Sequence, residues 1–350
     1  MTWQSKLLRW YRQQKRDLPW RRNPTPYRVL VSEIMLQQTT VKTVIPYYRR
    51  FLKKFPSLKS LATSSETDVL QLWSGLGYYA RARNLRRIAQ ICASDFRGRV
   101  PKDVSTLQTL PGIGAYTAGA IASIAYDQRA ALVDGNVARV LARYFAISAD
   151  PKTTAGQKKF WQLAEQKLPR RYCGDFNQAL MELGATICTP LRPSCPLCPL
   201  RSDCSAYQED RVAQLPRLAK RIQYRSVQLT AALIMKRGRL LMLQRPAKGV
   251  LRDMWEFPVI EGDLDSLQAA YQWQLPEGRA LRPVRHAIMD QRITIQPWLF
   301  ELNGELNGAA LPTPRSSSRW VQTSKISALP TSSMIHKLTA LLASDPTRPT

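Results

Sequence analysis

Residues 1–219 contain no histidine; the two in the chain are His286 and His336. Acid–base chemistry in that region must fall to carboxylates, Lys, Tyr or Cys, and His-based triads or His-rich catalytic metal sites are excluded there. Two carboxylates stand out. Glu33 lies within Val29-Leu30-Val31-Ser32-Glu33-Ile34-Met35-Leu36, a helical stretch apolar almost all round. Such a helix is buried, and a carboxyl group inside it is costly unless it is paired or its raised pKa is used. Asp134 sits in Val133-Asp134-Gly135-Asn136, just before a helical pattern from Val137 to Phe145. A protonated acid of raised pKa and an ionised carboxylate are the pair that cleaves glycosidic bonds: the acid protonates the leaving group and the anion faces the positive sugar. The same logic extends to an N-glycosidic bond once a base is swung out of DNA. The plainer alternatives are an Arg-paired core carboxylate for Glu33 and a helix N-cap for Asp134.

A second group reads as metal ligands. Four of the six cysteines follow the pattern Cys188-x6-Cys195-x2-Cys198-x5-Cys204, while Cys92 and Cys173 stand apart as buried thiols. The N-terminus has no signal-peptide core, so a reducing, cytoplasmic compartment is expected, where clustered cysteines bind metal rather than form disulfides. Four thiolates on so short a loop hold zinc or a [4Fe–4S] cluster, and the spacing leaves both open.

Glu33 needs a helix, expected over 27–38. Asp134 follows a hairpin in which Leu110-Pro111-Gly112-Ile113-Gly114 separates helices expected over 103–109 and 116–126. Pro111 and Gly112 break the first helix, Gly114 frees the backbone before the second, and N–H groups at such a turn make a phosphate seat. Ala118, Gly119, Ala120 and Ala122 let another backbone approach closely. Further helices are expected over 3–14, 40–54, 66–74, 80–95, 155–167 and 175–187, with a Pro-punctuated loop over 17–24. The turn Trp73-Ser74-Gly75-Leu76-Gly77-Tyr78-Tyr79, followed by Arg81, Arg83, Arg86 and Arg87, suits a nucleic-acid face: rings stack on bases or wedge between them, and Arg holds phosphates. Core packing is the alternative for one of the two tyrosines.

Beyond Cys204 the composition shifts. Residues 214–225 read as a basic linker. Strands expected over 227–235, 239–244, 254–260 and 292–302, a hairpin at Lys236-Arg237-Gly238 and a helix over 264–275 mark an α+β domain from 226 to 350. The formal net charge is +27, with +19 on residues 1–219 (34 Lys+Arg, 15 Asp+Glu) and +8 on the rest (18 and 10). Charge of that size calls for an anionic partner, and with no apolar run of bilayer length a nucleic acid fits better than a membrane.

Ser32 to Thr39, Trp73 to Asn84, Leu110 to Ile121, Val133 to Arg139, Phe176 to Gly184 and the four-cysteine loop, in this order, resemble MutY, the adenine DNA glycosylase family. The likeness covers residues 1 to about 210. It implies a mainly α N-terminal part with the helix-hairpin-helix glycosylase fold (1–213, including a [4Fe–4S] loop over 188–204), a linker over 214–225 and a Nudix-like α+β recognition domain over 226–350. It also implies a [4Fe–4S] cluster on Cys188, Cys195, Cys198 and Cys204. By motif match Glu33 is the acid that protonates adenine and then activates water, Asp134 stabilises the sugar cation, and Tyr116 and Asn136 support them. Gln38 and Tyr78 match residues that wedge into the duplex, Gly112 and Gly114 the backbone clamp, and Arg21 and Gln178 lie in motifs near the adenine pocket. The implied partner is duplex DNA with adenine opposite 8-oxoguanine or guanine, met by a monomer.

The second domain is similar to the MutT-like, Nudix-type domain of the same family through Leu240 to Pro246 and Gly249 to Pro258. The Glu-rich metal helix of a Nudix hydrolase has no counterpart, since 264–275 holds only Asp265 as an acid. Recognition rather than hydrolysis is expected there. One departure stands at residues 288–290, where the family commonly carries Phe-Ser-His as its reader of the opposite base and this chain has Ile288-Met289-Asp290. Two rival readings exist. An endonuclease III-like pyrimidine glycosylase would need a Lys nucleophile where Tyr116 stands. A non-catalytic DNA-binding iron–sulfur protein would have no need of both Glu33 and Asp134.

Overall fold

The structure, a computed structural model, describes residues 2–217, 224–246, 251–288, 290–304, 306 and 317–343. The chain divides into two compact units, Met1–Ser64 with Asn84–Lys220, and Ser65–Arg83 with Arg221–Thr350. Helices are numbered in chain order: α1 (Trp3–Gln14), α2 (Pro19–Arg22), α3 (Pro26–Leu36), α4 (Val41–Lys54), α5 (Leu58–Ala62), α6 (Glu66–Trp73), α7 (Ala80–Asp95), α8 (Val104–Thr109), α9 (Ala115–Tyr126), α10 (Gly135–Tyr144), α11 (Thr154–Lys167), α12 (Cys173–Thr186) and α13 (Ser205–Gln208).

In the first unit α3 packs on α9, α9 on α12, and α12 on α1 and α10. The small residues of α9 make this possible: a Cβ on Gly119 would lie 2.0 Å from the Ala131 carbonyl oxygen, so only glycine lets that strand of backbone in. The apolar face of α10 (Val137, Val140, Leu141) buries against Phe176, Ala179 and Leu183 of α12. Polar starts cap these helices. Thr25 accepts from Arg28 N before α3, and Asp134 accepts from Val137 N before α10.

Local chemistry moves several expected boundaries. The loop expected over 17–24 contains α2, because Pro19 stands at its first position, where the missing N–H is harmless. The helix expected to reach residue 38 ends at Leu36, and Gln38 takes φ 55° beyond it. Residues 58–62, not expected as a helix, form α5 behind a reciprocal Ser57–Ser60 cap. In the hairpin Gly112 needs its glycine backbone (φ 77°), whereas Gly114 has an ordinary φ of −91° and caps α9. What Gly114 supplies is open space, since nothing lies within 4 Å of where its Cβ would be.

Among the described residues the second unit is built on an eight-stranded mixed sheet: β1 (Arg225–Lys236), β2 (Arg239–Gln244), β3 (Trp255–Glu256), β4 (Val259–Glu261), β5 (Arg279–Ala280), β6 (Val284–Ile288), β7 (Gln291–Glu301) and β8 (Ser317–Gln322). β1 runs parallel to β7 from Arg225↔Gln291 to Met235↔Glu301, and antiparallel to β2 and β4. Alternate β1 residues feed two cores: Ala231 and Leu233 meet Ile335 and Leu338 of α15 (Ser333–Ala343), and Ala232 and Ile234 meet Leu267 and Tyr271 of α14 (Leu264–Tyr271). Burial on both faces explains the continuous apolar run of β1. The strand expected over 254–260 is split into β3 and β4 around Pro258, which has no N–H to give the ladder. The helix expected over 264–275 stops at Tyr271, where Gln272 turns left-handed (φ 52°).

Candidate active site

Glu33 projects from the middle of α3 into the first unit and is 4% exposed. The Tyr116 hydroxyl of α9 donates to its Oε2 at 3.1 Å. Burial pushes the Glu33 carboxyl up to about 7; the Tyr116 hydrogen bond opposes this, the charge of Asp134 adds to it, and Arg21 opposes it. Glu33 is therefore not the Arg-paired core carboxylate of the plainer alternative. Asp134 does serve as N-cap of α10, its Oδ1 accepting from Val137 N at 2.7 Å. Its Oδ2 accepts from Asn136 Nδ2 at 3.0 Å. Capping and a place beside Glu33 are thus combined in one side chain.

Glu33, Asp134, Tyr116, Asn136, Arg21 and Gln178 line one cavity of about 180 Å³. This lies below the roughly 300 Å³ at which drug-sized ligand sites begin, a size suited to a single heterocycle. Trp20 and Met181 supply apolar wall. Arg21 donates from Nη2 to Glu182 Oε2 at 2.9 Å and from Nη1 to the Arg16 carbonyl at 3.1 Å. Its buried Nε has no partner.

Four residues that the sequence reading passed over hold this arrangement. Arg139 donates from Nη2 to Asn136 Oδ1 and to the Gly184 carbonyl, each at 2.8 Å, and from Nε to the Cys188 carbonyl at 2.8 Å. Arg143 reaches the Thr189 and Pro190 carbonyls at 2.7 and 3.0 Å and Cys188 Sγ at 3.4 Å. Glu182 and Arg16 are the other two. The signal was available for the first pair, because Arg139 and Arg143 stand four apart on the apolar helix α10 and so share a face. A charge that far inside must be fully hydrogen-bonded.

Cys188, Cys195, Cys198 and Cys204 come together around a small cavity of about 30 Å³, with Arg143 and Arg201 also on its wall. Among the described residues, no three Cys, His, Asp or Glu side chains converge closely enough to hold a single metal ion. Four thiols lining one cavity are a donor set that suits a metal centre, and four thiolates can hold either zinc or a [4Fe–4S] cluster. Cys92 and Cys173 are buried apart from these four.

Gln38 is exposed just past the end of α3 in a left-handed conformation (φ 55°). In the second unit Tyr78 also has positive φ (49°) between Gly77 (φ 77°) and Tyr79, and is 43% exposed. Tyr79 is buried and its hydroxyl donates to the Thr331 carbonyl, so one of the pair is core and the other presents its ring. No helix among the described residues is long and apolar enough to cross a membrane.

The helical hairpin of the first unit belongs to a class of base excision DNA repair proteins. Residues 31–166 match the model of the HhH-GPD superfamily of base excision DNA repair proteins, and residues 230–341 match the NUDIX domain. A solved thermostable thymine-DNA glycosylase is 33% identical, superposes with a TM-score of 0.54, and covers 59% of this chain and 95% of its own. Adenine DNA glycosylase of Rattus norvegicus is 38% identical over 90% of this chain and 73% of its own length. That of Mus musculus is 43% identical over 74% of this chain and 60% of its own length, so the chain spans about three fifths of that relative. The chain belongs to the adenine DNA glycosylase family.

Proposed function

We propose that this chain hydrolyses the N-glycosidic bond of adenine placed opposite 8-oxoguanine or guanine in duplex DNA. The observation that carries the reading is the cavity in which Glu33, held near neutral pKa by burial, meets Asp134. Glu33 enters the reaction protonated and gives its proton to a ring nitrogen of the everted adenine. The C1′–N9 bond then breaks with the electron pair leaving on the base. Asp134 faces the sugar cation, held in position by Asn136 and the α10 amide. Glu33, now ionised and steadied by Tyr116, takes a proton from the water that adds to C1′. Tyr116 stands where a lyase would need its lysine, and among the described residues the cavity lining includes none, which favours simple hydrolysis over a Schiff-base lyase. Adenine rather than thymine is favoured because likeness to the adenine enzymes extends over 90% of the chain, whereas likeness to the thymine enzyme covers 59%.

Arg21 and Gln178 contact the base, the turn at Gly112 and Gly114 grips phosphate, and Gln38 and Tyr78 enter the base stack. Cys188, Cys195, Cys198 and Cys204 would hold a [4Fe–4S] cluster, which ties down the loop over 188–204 and takes no part in bond cleavage. The protein works as a monomer, with residues 1–213 carrying the chemistry and 226–350 the recognition. The test is base release from duplexes carrying A opposite 8-oxoguanine, A opposite G, and thymine glycol. Adenine release that leaves an alkali-labile but unbroken strand is expected; thymine glycol release, or borohydride-trapped adduct at the level of base release, would overturn the reading.

A further inference from the structure

Glu182 of α12 is 1% exposed, yet the reaction described above makes no use of it. Its Oε1 accepts from Arg16 N at 3.0 Å and Arg16 Nε at 2.7 Å. Its Oε2 accepts from Arg16 Nη2 at 2.8 Å and Arg21 Nη2 at 2.9 Å. Burial alone would raise this carboxyl; the hydrogen bonds from Arg16 and Arg21 overcome that and hold it at about 2, so it is an anion throughout the working pH range. All three groups line the cavity that holds Glu33.

The charges facing Glu33 are few. Tyr116 faces it from α9, Asp134 from the start of α10, Arg16 and Arg21 from the segment around α2, and Glu182 from α12. Val41, the first residue of α4, is uncharged. Two arginines beside a buried acid ought to strip its proton, since an opposite charge at about 4–6 Å lowers a carboxyl by roughly 1–3 units. Yet Glu33 stays high, and Arg21 is the weakest influence on it. The hydrogen bonds of the two arginines point elsewhere. Both guanidinium groups are turned onto Glu182, and Arg21 is further fixed by the Arg16 carbonyl and by its seat 5.4 Å from the centre of the Tyr11 ring.

We propose that Glu182 is a positioning residue for base release: by binding Arg16 and Arg21 together it keeps their charge off Glu33, which stays in its acid form. This rests on the reading of Glu33 as the proton donor. The carboxyl of Glu33 can be titrated directly by ¹³C NMR in holoprotein labelled at glutamate, with Glu33→Gln to assign the signal, alongside single-turnover adenine release from pH 5 to 9. In Glu182→Gln the Glu33 midpoint should fall by about one unit or more. The alkaline limb of the rate should fall with it, giving roughly tenfold slower release on that limb. In Glu182→Gln/Arg21→Gln, which removes one charge of each sign, the midpoint should return most of the way while release stays slow. An unmoved midpoint in Glu182→Gln, or an equal fall in the double variant, would overturn the proposal. Should Glu182→Gln fail to fold, Arg21→Gln decides. With Arg21 already neutralised the midpoint should move by less than about half a unit, and a rise of a unit or more would show that Arg21 acted on Glu33 unscreened. The titration needs no substrate, so a wild type that released no adenine would refute the activity while the midpoints still judged Glu182.

Discussion

Two carboxylates that line one cavity sit in different surroundings. Glu33 is walled in by α3 and α9, and Asp134 is solvated by the amide of Val137 and the side chain of Asn136. Glu33→Gln should slow base release by roughly 10³-fold or more, the scale of a lost general acid, while duplex affinity stays close to wild type. The same variant should be more stable than wild type at high pH. The Glu33 carboxyl holds its proton to about 7 when folded, against an ordinary value near 4.5, so ionising it opposes folding. That penalty is absent below the ordinary value, grows as pH rises toward 7 and is complete above it, at about 3 kcal/mol. Urea melts at pH 5 and pH 8 should therefore show a much larger gain for Glu33→Gln at the higher pH; equal gains at both would contradict the buried acid. Asp134→Asn separates charge from capping. Asparagine caps as well as aspartate, so stability should hold while release falls by roughly 10²–10³-fold. A variant that lost both together would mean that Asp134 is mainly a cap.

Helix α12 joins the parts of the site, and its placement depends on a missing side chain. A Cβ at Gly184 would lie 2.7 Å from Asn136 Cβ and 3.0 Å from its carbonyl oxygen. Gly184→Ala should destabilise by about 1–3 kcal/mol through overpacking. It should also slow adenine release beyond what the lost stability explains, because Asn136 must move and carry Asp134 with it; a stable, fully active Gly184→Ala would show the contact to be slack. This close approach was not legible in the sequence, where Gly184 reads only as part of a helix. Periodicity does give α1, α4, α7 and α11 to within a residue or so, because each buries one face. Glu33 was legible because a charge in an apolar helix is anomalous on its face. Glu182 was not, since its partners Arg16 and Arg21 stand far back in the chain and no local pattern joins them. Strands β6 and β8 and helix α15 went unexpected for a similar reason. β6 starts at buried Val284 and then alternates between exposed and half-buried positions with Arg285 outward, a weak pattern that becomes a strand only by pairing with β7.

Across the whole chain the charge of +27 gives affinity for any duplex, and the choice among duplexes must come from particular contacts. The family resemblance places the reader of the opposite base at residues 288–290. Met289 lies outside the described residues. Ile288 ends β6 opposite Gln291, and Asp290 is exposed, with its carbonyl accepting from Arg225 N at 3.0 Å. Where a Phe-Ser-His loop would offer a hydroxyl and an imidazole, this chain offers an apolar residue and an anion near polyanionic DNA. Asp290 can accept a hydrogen bond from an N–H that 8-oxoguanine has and guanine lacks, but it cannot donate one. His286 lies two residues before Ile288 and on the same side of β6; burial lowers its pKa, with Lys337 adding, so it is neutral at pH 7 and has one donor and one acceptor. A lost base-reading hydrogen bond costs roughly 1–3 kcal/mol of discrimination, about one to two decades. The chain should therefore release adenine opposite both bases, with a weaker preference for 8-oxoguanine over guanine than an intact-loop enzyme. Single-turnover release and duplex affinity, for both opposite bases, should be compared in wild type, in a variant with Phe-Ser-His at 288–290, and in His286→Ala. Restoring the loop should widen the preference. If the wild type already discriminates as strongly as an intact-loop enzyme, the restored loop adds nothing and His286→Ala abolishes the difference, the reading has passed to His286 and the prediction is wrong.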